Sequence, residues 1–402
     1  MTNIIFRIVF RNCLFLSKNL SFITKFYLMQ PFLSIFFFHI FCYNIFFSIF
    51  IHVIIIKKQI GLDKNMKVID MHCDTISELG TQDAVLRKNA LHIDIEKLKR
   101  GNYYLQNFAL FVPLQEADSK PNCEKAKHLA KNPLEEVLFL IDLFYTELKK
   151  NTDILAPVYK FTDIMNNEKN GKISAFLTVE EGGVCKGELA NLRNLYRLGV
   201  RMLTLTWNFP NELGFPNLTF DSATNIPDFT KPNTTDGLTE KGLEFLDEME
   251  RLGMIIDVSH LSDAGFYDVL HNTKKPFVAS HSNSRAICPN IRNLTDDMIQ
   301  SMGNRGCVTG LNFCEDFLFE KNSATENSYD WILYHAKHIV DIGGIECLGL
   351  GSDFDGIPTN HDIPNASFMP TLYDSFLKAG FSSSQTDKIF YENVLRVYKD
   401  NL

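Results

Sequence analysis

The stretch VIDMHCDT, residues 68–75, runs from an apolar segment directly into a histidine and an aspartate. Three of its first four residues are apolar, which is typical of a buried β-strand. His72 and Asp74 follow two positions apart, so in an extended chain their side chains point the same way. Imidazole nitrogen and carboxylate oxygen together suit Zn²⁺ or a similar divalent metal. The stretch therefore predicts a strand that ends in two metal ligands.

Seven more apolar runs of strand length follow, and segments with helical patterns lie between them. One helical segment, 133–150, has proline near its start, and two others end at Gly199 and Gly253, as helices often do. Strands that alternate with helices predict a parallel sheet, and the length of 66–402 favours one (β/α)8 TIM barrel over two Rossmann halves. The predicted strands are 67–71, 108–113, 174–179, 201–206, 254–259, 276–280, 306–312 and 347–352.

Five of these strands end in groups that bind metals or transfer protons. In a TIM barrel the active site is built at the carboxyl ends of the strands, so these groups are expected to meet at one rim. They are too many for one open catalytic zinc and about right for two metal ions that share a carboxylate. Any one of them alone is more often structural, so the prediction depends on their joint placement. The groups are His72, Asp74, Glu180, Glu181, His260, His281, Asp353 and Asp355.

As a set, these strand-end motifs resemble the membrane (renal) dipeptidase family of zinc metallopeptidases. The resemblance spans nearly all of residues 67–400 and leaves out the N-terminal leader. It implies a TIM-barrel dipeptidase that hydrolyses the peptide bond of dipeptides through a hydroxide held between two Zn²⁺ ions per chain. The matching stretches are HCD (72–74), VEEGG (179–183), LRNLYRLGVRMLTLT (192–206), DVSH (257–260), SHSNSR (280–285), GSDFDG (351–356) and ENVLRV (392–397).

The resemblance also implies a ligand role for each metal-binding residue. His72 and Asp74 would hold the first zinc, and His260 and His281 would hold the second. Glu180 would bridge the two ions.

Five other residues have implied roles or alternatives. Asp353 would act as acid and base, and Arg292 would bind the terminal carboxylate of the substrate. Glu181 competes with Glu180 for the bridging role, although counting from both flanking segments favours Glu180. Many family members have a histidine where this chain has Trp207, and that histidine is thought to help stabilise the tetrahedral intermediate or to contact substrate. An indole N–H donates but carries no charge, so Asn208 would supply this contact, or it would be weakened, or the substrate range would differ.

Two other functions fit part of the pattern. Other binuclear metal amidohydrolases share the barrel, but they usually open with HxH and carry a bridging lysine, whereas this chain has HxD and Glu180. A non-enzymatic membrane-anchored binding module would keep the barrel and lose ligands. The net charge of −8 argues against a nucleic-acid partner. A homodimer is expected only by analogy with relatives.

Residues 1–65 differ in composition from the rest of the chain. They contain one acidic and seven basic residues and 13 of the 34 phenylalanines. Two interpretations stay open: a hydrophobic leader outside the barrel with a transmembrane segment at 32–56, or a spurious upstream extension with translation starting at Met66. The first predicts a membrane-associated protein and the second a cytoplasmic one. Seven cysteines after Met66 without a CxxC pair favour a reducing compartment.

Overall fold

The computed structural model describes residues 66–82, 84–114, 132–220, 226–320 and 327–402. These residues belong to one compact unit and contain a strand at each of the eight predicted places. Their strands are β1 (Val68–Asp70), β2 (Tyr103–Phe111), β3 (Leu155–Pro157), β4 (Ile173–Glu180), β5 (Met202–Thr204), β6 (Thr219–Phe220), β7 (Pro227–Asp228), β8 (Ile255–Asp257), β9 (Val278–Ala279), β10 (Val308–Leu311) and β11 (Leu348–Leu350).

Eight of the strands are parallel neighbours in a closed ring. The order is β2-β1-β11-β10-β9-β8-β5-β4, and β2 pairs with β4 to close it. This confirms the predicted (β/α)8 TIM barrel, and it brings the carboxyl ends of all eight strands to one rim.

Three local features differ from the prediction. β2 begins at 103 rather than 108, because buried Gln106 and Asn107 interrupt the apolar pattern from inside the strand. β3 was not predicted: it has three residues, includes a proline, and pairs only with the first half of β4, outside the ring. The β6–β7 hairpin was also not predicted, since two residues per strand leave no periodicity to detect.

Sequence signals at the helix ends agree with the helices observed. Pro133–Lys150 begins where Asn132 Oδ1 accepts a hydrogen bond from Leu134 N, and Glu240–Leu252 ends at Gly253 with φ 77°. The α-helices are Thr75–Thr81, Ile95–Arg100, Pro133–Lys150, Phe161–Lys169, Leu189–Arg197, Glu240–Leu252, Asp263–Asn272, Asp296–Arg305, Glu315–Leu318, Ser328–Gly343, Met369–Lys378, Ser383–Asp387 and Asn393–Asn401, with 3₁₀ turns at Gly182–Cys185, Ile345–Cys347 and Ala366–Phe368 and a π turn at Lys388–Glu392.

The C-terminal helix, Asn393–Asn401, packs an aromatic side chain into the barrel. Tyr398 is fully buried and stacks on Phe176 of β4, with ring centroids 4.6 Å apart. Its hydroxyl donates to Asn107 Oδ1 at 2.8 Å. The barrel interior is therefore a packed core, and chemistry is left to the rim where the strands end.

The predicted membrane segment at 32–56 lies outside the described residues, as does the whole leader 1–65. Within the described ranges, no helix is long and apolar enough to cross a membrane. The membrane contact, the homodimer and the compartment stay predictions.

Candidate metal centre

Five predicted ligands meet at the rim of the barrel. His72 Nε2 lies 3.5 Å from Asp74 Oδ2 and 3.4 Å from Glu180 Oε2. The other oxygen of Glu180, Oε1, lies 3.0 Å from His260 Nε2 and 3.6 Å from His281 Nε2. Glu180 therefore stands between two groups of ligands, with one carboxylate oxygen directed at each.

The hydrogen bonding of this cluster is incomplete in a way that fits metal ions. Both ring nitrogens of His72 and Oδ1 of Asp74 are buried without a hydrogen-bond partner among the described residues. The Nε2 atoms of His260 and His281 lie 3.0 Å apart. An unpartnered buried polar group costs about 1–3 kcal/mol, so several together indicate that a ligand belongs there. Imidazoles and carboxylates are the donors that Zn²⁺ and similar divalent cations bind.

Burial and proximity shift the pKa values of the cluster. Burial and the Arg292 charge lower the pKa of His260 to about 4, and burial holds that of His281 well below its ordinary value. Burial also opposes charge on His72, but the carboxylates of Glu180 and Asp74 outweigh it and hold its pKa well above the ordinary value. Two imidazoles are therefore neutral, the form in which histidine binds a metal.

The structure separates the two adjacent glutamates. Glu181 has a left-handed backbone, with φ 98°, and its side chain turns away from the cluster. Its Oε1 accepts a hydrogen bond from Gly183 N at 2.7 Å and another from the amide of Asn211, and its Oε2 accepts one from Trp207 N at 3.2 Å. Glu180 thus takes the place between the ligands, and Glu181 holds the backbone of a neighbouring loop.

Asp353 lies beside the cluster with one oxygen free. Its Oδ2 accepts a hydrogen bond from Asn312 Nδ2 at 2.9 Å, and its Oδ1 lies 3.9 Å from His72 Nε2. Its backbone is left-handed, with φ 63°, which costs about 1–3 kcal/mol in a non-glycine residue. Asn312 was not singled out from the sequence, and only its place just after β10 could have drawn notice.

A cavity of about 280 Å³ opens over the cluster and contains the predicted substrate residues. The Arg292 side chain is buried, its Nε and Nη2 have no hydrogen-bond partner, and its Cζ lies 5.4 Å from the centre of the Phe317 ring. The Trp207 ring packs 4.8 Å from that of Phe111 and 6.3 Å from that of His260. The cavity is therefore lined by the positively charged Arg292, which has unpartnered N–H donors, and by aromatic rings.

Asn208 lines the same cavity but also contacts a predicted ligand. Its Oδ1 lies 2.8 Å from His260 Nδ1. If that oxygen accepts the Nδ1 proton, the opposite nitrogen of His260 is left free for a metal. The substrate contact proposed for Asn208 stays a prediction, and this orienting contact was not foreseen.

One buried histidine lies outside this cluster. His335 is buried and bonded on both sides, to Ser284 N at 3.1 Å and Leu318 O at 2.9 Å. The six cysteines in the described residues are all buried and unpaired. Cys73 Sγ faces Asn107 O at 3.3 Å, away from the ligands on either side of it.

Comparison with known proteins agrees with this geometry. Residues 57–401 match the model of the membrane dipeptidase family, peptidase family M19. The chain belongs to the membrane dipeptidase family. An uncharacterised dipeptidase of Schizosaccharomyces pombe is 31% identical over 356 residues, which are 84% of this chain and 80% of the relative. An uncharacterised Klebsiella pneumoniae protein from the pqqA 5′ region is 32% identical over 239 residues, 59% of this chain and 86% of that one.

The similarity extends to the fold of a solved structure. The metallopeptidase from Rhodobacter sphaeroides, bound to a phosphinate mimic of the dipeptide L-Ala-D-Ala, is 25% identical. It superposes with a TM-score of 0.73 over 84% of this chain and 99% of that one. The predicted family, fold and enzyme class, a metallo-dipeptidase of the hydrolases, are confirmed.

Proposed function

We propose that this member of the membrane dipeptidase family binds two zinc ions per chain at the rim of the barrel and hydrolyses dipeptides there. The observation that supports it most is the placement of Glu180, whose two oxygens face His72 on one side and His260 and His281 on the other. Asp74 completes the first group. When bound, two such ions would polarise the peptide carbonyl and lower the pKa of water toward neutrality.

Asp353 is the acid and base of this proposal. Asn312 holds its Oδ2, which leaves Oδ1 directed at the site. Burial raises the pKa of Asp353 above its ordinary value, which makes the carboxylate a better proton acceptor. The side chain would accept a proton from the attacking water and deliver it to the leaving amine.

Arg292 sets the length of the substrate. Its buried guanidinium has free donors at Nε and Nη2, and this planar group matches a carboxylate through two parallel hydrogen bonds. A carboxylate bound there must lie close to the scissile bond, because Arg292, Asp353 and Glu180 line one cavity of about 280 Å³. Dipeptides satisfy this requirement. The ligand of the Rhodobacter sphaeroides relative brings a C-terminal D-residue into the proposed substrate class.

Arg292→Ala should raise KM for dipeptides by about 10-fold to 100-fold, the equivalent of a lost charged hydrogen bond of about 1.5–3 kcal/mol. kcat should change less, since the carboxylate is bound in both the ground and transition states. Steady-state kinetics on a dipeptide and its C-terminal amide check this. The wild type should discriminate against the amide and the variant should not. Equal KM values for the two substrates in the wild type would contradict the clamp.

Turnover of defined substrates separates the proposal from its alternatives. The zinc-loaded protein should hydrolyse free dipeptides, including some with a C-terminal D-residue, faster than N-acyl amino acids or phosphotriesters. Preference for the latter compounds would favour another binuclear amidohydrolase. Two bound zinc ions without hydrolysis of any of them would favour a binding module.

A further inference from the structure

We propose that Asp257 is a positioning residue that fixes the tautomer of His281 through the hydroxyl of Ser280. The inference rests on the proposed function in one respect, the role of His281 as a metal ligand. Asp257 is the last residue of β8, and its side chain is fully buried. Ser280 and His281 follow β9, the next strand of the barrel.

Four hydrogen-bond donors from neighbouring strand ends surround the Asp257 carboxylate. Its Oδ1 accepts from Ser259 N at 3.0 Å and Ser280 N at 2.8 Å. Its Oδ2 accepts from Thr204 Oγ1 at 2.7 Å and Ser280 Oγ at 2.6 Å. No Lys or Arg among the described residues forms an ion pair with Asp257 in this network. These four hydrogen bonds satisfy the buried carboxylate, and one of the donors, the Ser280 hydroxyl, also lies against His281.

The direction of these bonds decides the position of a proton on His281. A carboxylate only accepts, so the Ser280 hydroxyl proton lies between Oγ and Asp257 Oδ2. The Ser280 oxygen then presents a lone pair to His281 Nδ1, 2.7 Å away, and Nδ1 must carry the proton. Nε2 is left with its lone pair, 3.0 Å from His260 Nε2 and 3.6 Å from Glu180 Oε1. The longer contact between Ser259 Oγ and Ser280 Oγ, 3.3 Å, does not change the direction of these hydrogen bonds.

A second aspartate–serine pair, Asp70 and Ser352, forms the same two hydrogen bonds but has no imidazole beside the serine hydroxyl. Asp70 ends β1, its Oδ1 accepts from Ser352 N at 2.8 Å, and its Oδ2 accepts from Ser352 Oγ at 2.6 Å. The other neighbours of the Ser352 hydroxyl are backbone groups, His72 O at 3.2 Å and Phe354 N at 3.1 Å. Asp70→Asn therefore removes an equally buried carboxylate next to the same site but reverses no histidine tautomer.

Asp257→Asn keeps the shape of the side chain. It reverses the direction of the hydrogen bonds between residue 257 and Ser280 and between Ser280 and His281. The amide oxygen stays with the two backbone N–H groups, and the NH₂ group replaces Oδ2 and donates to Ser280. Ser280 then donates to His281 Nδ1, which leaves the proton on Nε2, where a metal would bind. We expect a loss of zinc affinity of about 10-fold to 100-fold, typical of groups that orient a ligand.

Two readouts test this inference. Long-range ¹⁵N–¹H correlation spectra of metal-free protein labelled at histidine should show His281 protonated on Nδ1 in the wild type and in Asp70→Asn, and on Nε2 in Asp257→Asn. Competition with a chelator should show the larger loss of zinc affinity in Asp257→Asn, with thermal unfolding as the check that both variants fold. If Asp257→Asn does not fold, Ser280→Ala should give a mixture of both tautomers.

A wild-type His281 protonated on Nε2 would overturn the inference. So would equal losses of zinc affinity in Asp257→Asn and Asp70→Asn with the tautomer of His281 unchanged. A wild type that shows the Nδ1 tautomer but binds no zinc would instead contradict the proposed function and leave the positioning role intact.

Discussion

Glu180→Gln should remove the metal ions and lower kcat/KM on the order of 1000-fold, or about 4 kcal/mol of transition-state stabilisation. The substitution preserves shape but replaces a charged acceptor with an amide. Oε1 lies 3.0 Å from His260 Nε2 and 3.6 Å from His281 Nε2. An NH₂ group there would donate to these imidazoles and occupy their lone pairs. In the other orientation the NH₂ group would donate to His72 in the same way. In either orientation, one of the two ligand groups is therefore lost.

Glu181→Gln is the matched control for this prediction. Glu181 is as buried as Glu180 and adjacent in sequence, but it bonds Gly183, Asn211 and Trp207. The Glu181→Gln variant should keep the metal content of the wild type and lose thermal stability instead. Metal analysis of both purified variants, with thermal unfolding, checks the pair. Metal retained in Glu180→Gln and lost in Glu181→Gln would reverse the assignment of the two glutamates.

Asp353→Asn should lower kcat by about 100-fold to 10,000-fold, the usual contribution of a general acid and base, with the metal content unchanged. An amide neither accepts the proton nor delivers it. The amide oxygen can still accept the hydrogen bond from Asn312, which puts the NH₂ group in the place of Oδ1, so we expect only a small stability loss. Steady-state kinetics on metal-loaded protein, with the metal measured in the same sample, check both statements.

Asp355→Asn is the comparison for Asp353→Asn. Asp355 also lines the cavity, but its oxygens accept hydrogen bonds from Thr75 Oγ1 at 2.6 Å and from the backbone of His92 and Ile93. Its replacement should lower kcat much less than that of Asp353. Unchanged turnover in Asp353→Asn would remove this residue from the chemistry.

The fold could be predicted because its signals are local. Buried parallel strands are continuous apolar runs, and polar side chains at their ends mark the rim. The start of β2 was misplaced because Gln106 and Asn107 are polar residues buried in a strand, and the partners of Asn107, Met71 and Tyr398, come from distant parts of the chain. β3 was missed because three residues, one of them proline, give too short a pattern.

The sequence pointed to the residues that line the candidate site but not to the contacts that orient them. Strand-end position and the family resemblance pointed to His72, Glu180, His260 and His281. Counting from the flanking segments already favoured Glu180 over Glu181, and the positive φ of Glu181 gives the structural reason why its side chain does not join the cluster. The orienting contacts depend on which strands are neighbours. Ser280 reaches Asp257 across 23 positions of sequence, and no local pattern distinguishes this serine from any other near a strand end.

X-ray diffraction from crystals of the zinc-loaded enzyme, recorded above and below the zinc absorption edge, tests the central claim most directly. Two anomalous peaks per chain are expected. One should touch His72, Asp74 and Glu180, and the other should touch Glu180, His260 and His281. A single peak, or peaks away from Glu180 in protein that hydrolyses dipeptides, would contradict the binuclear centre.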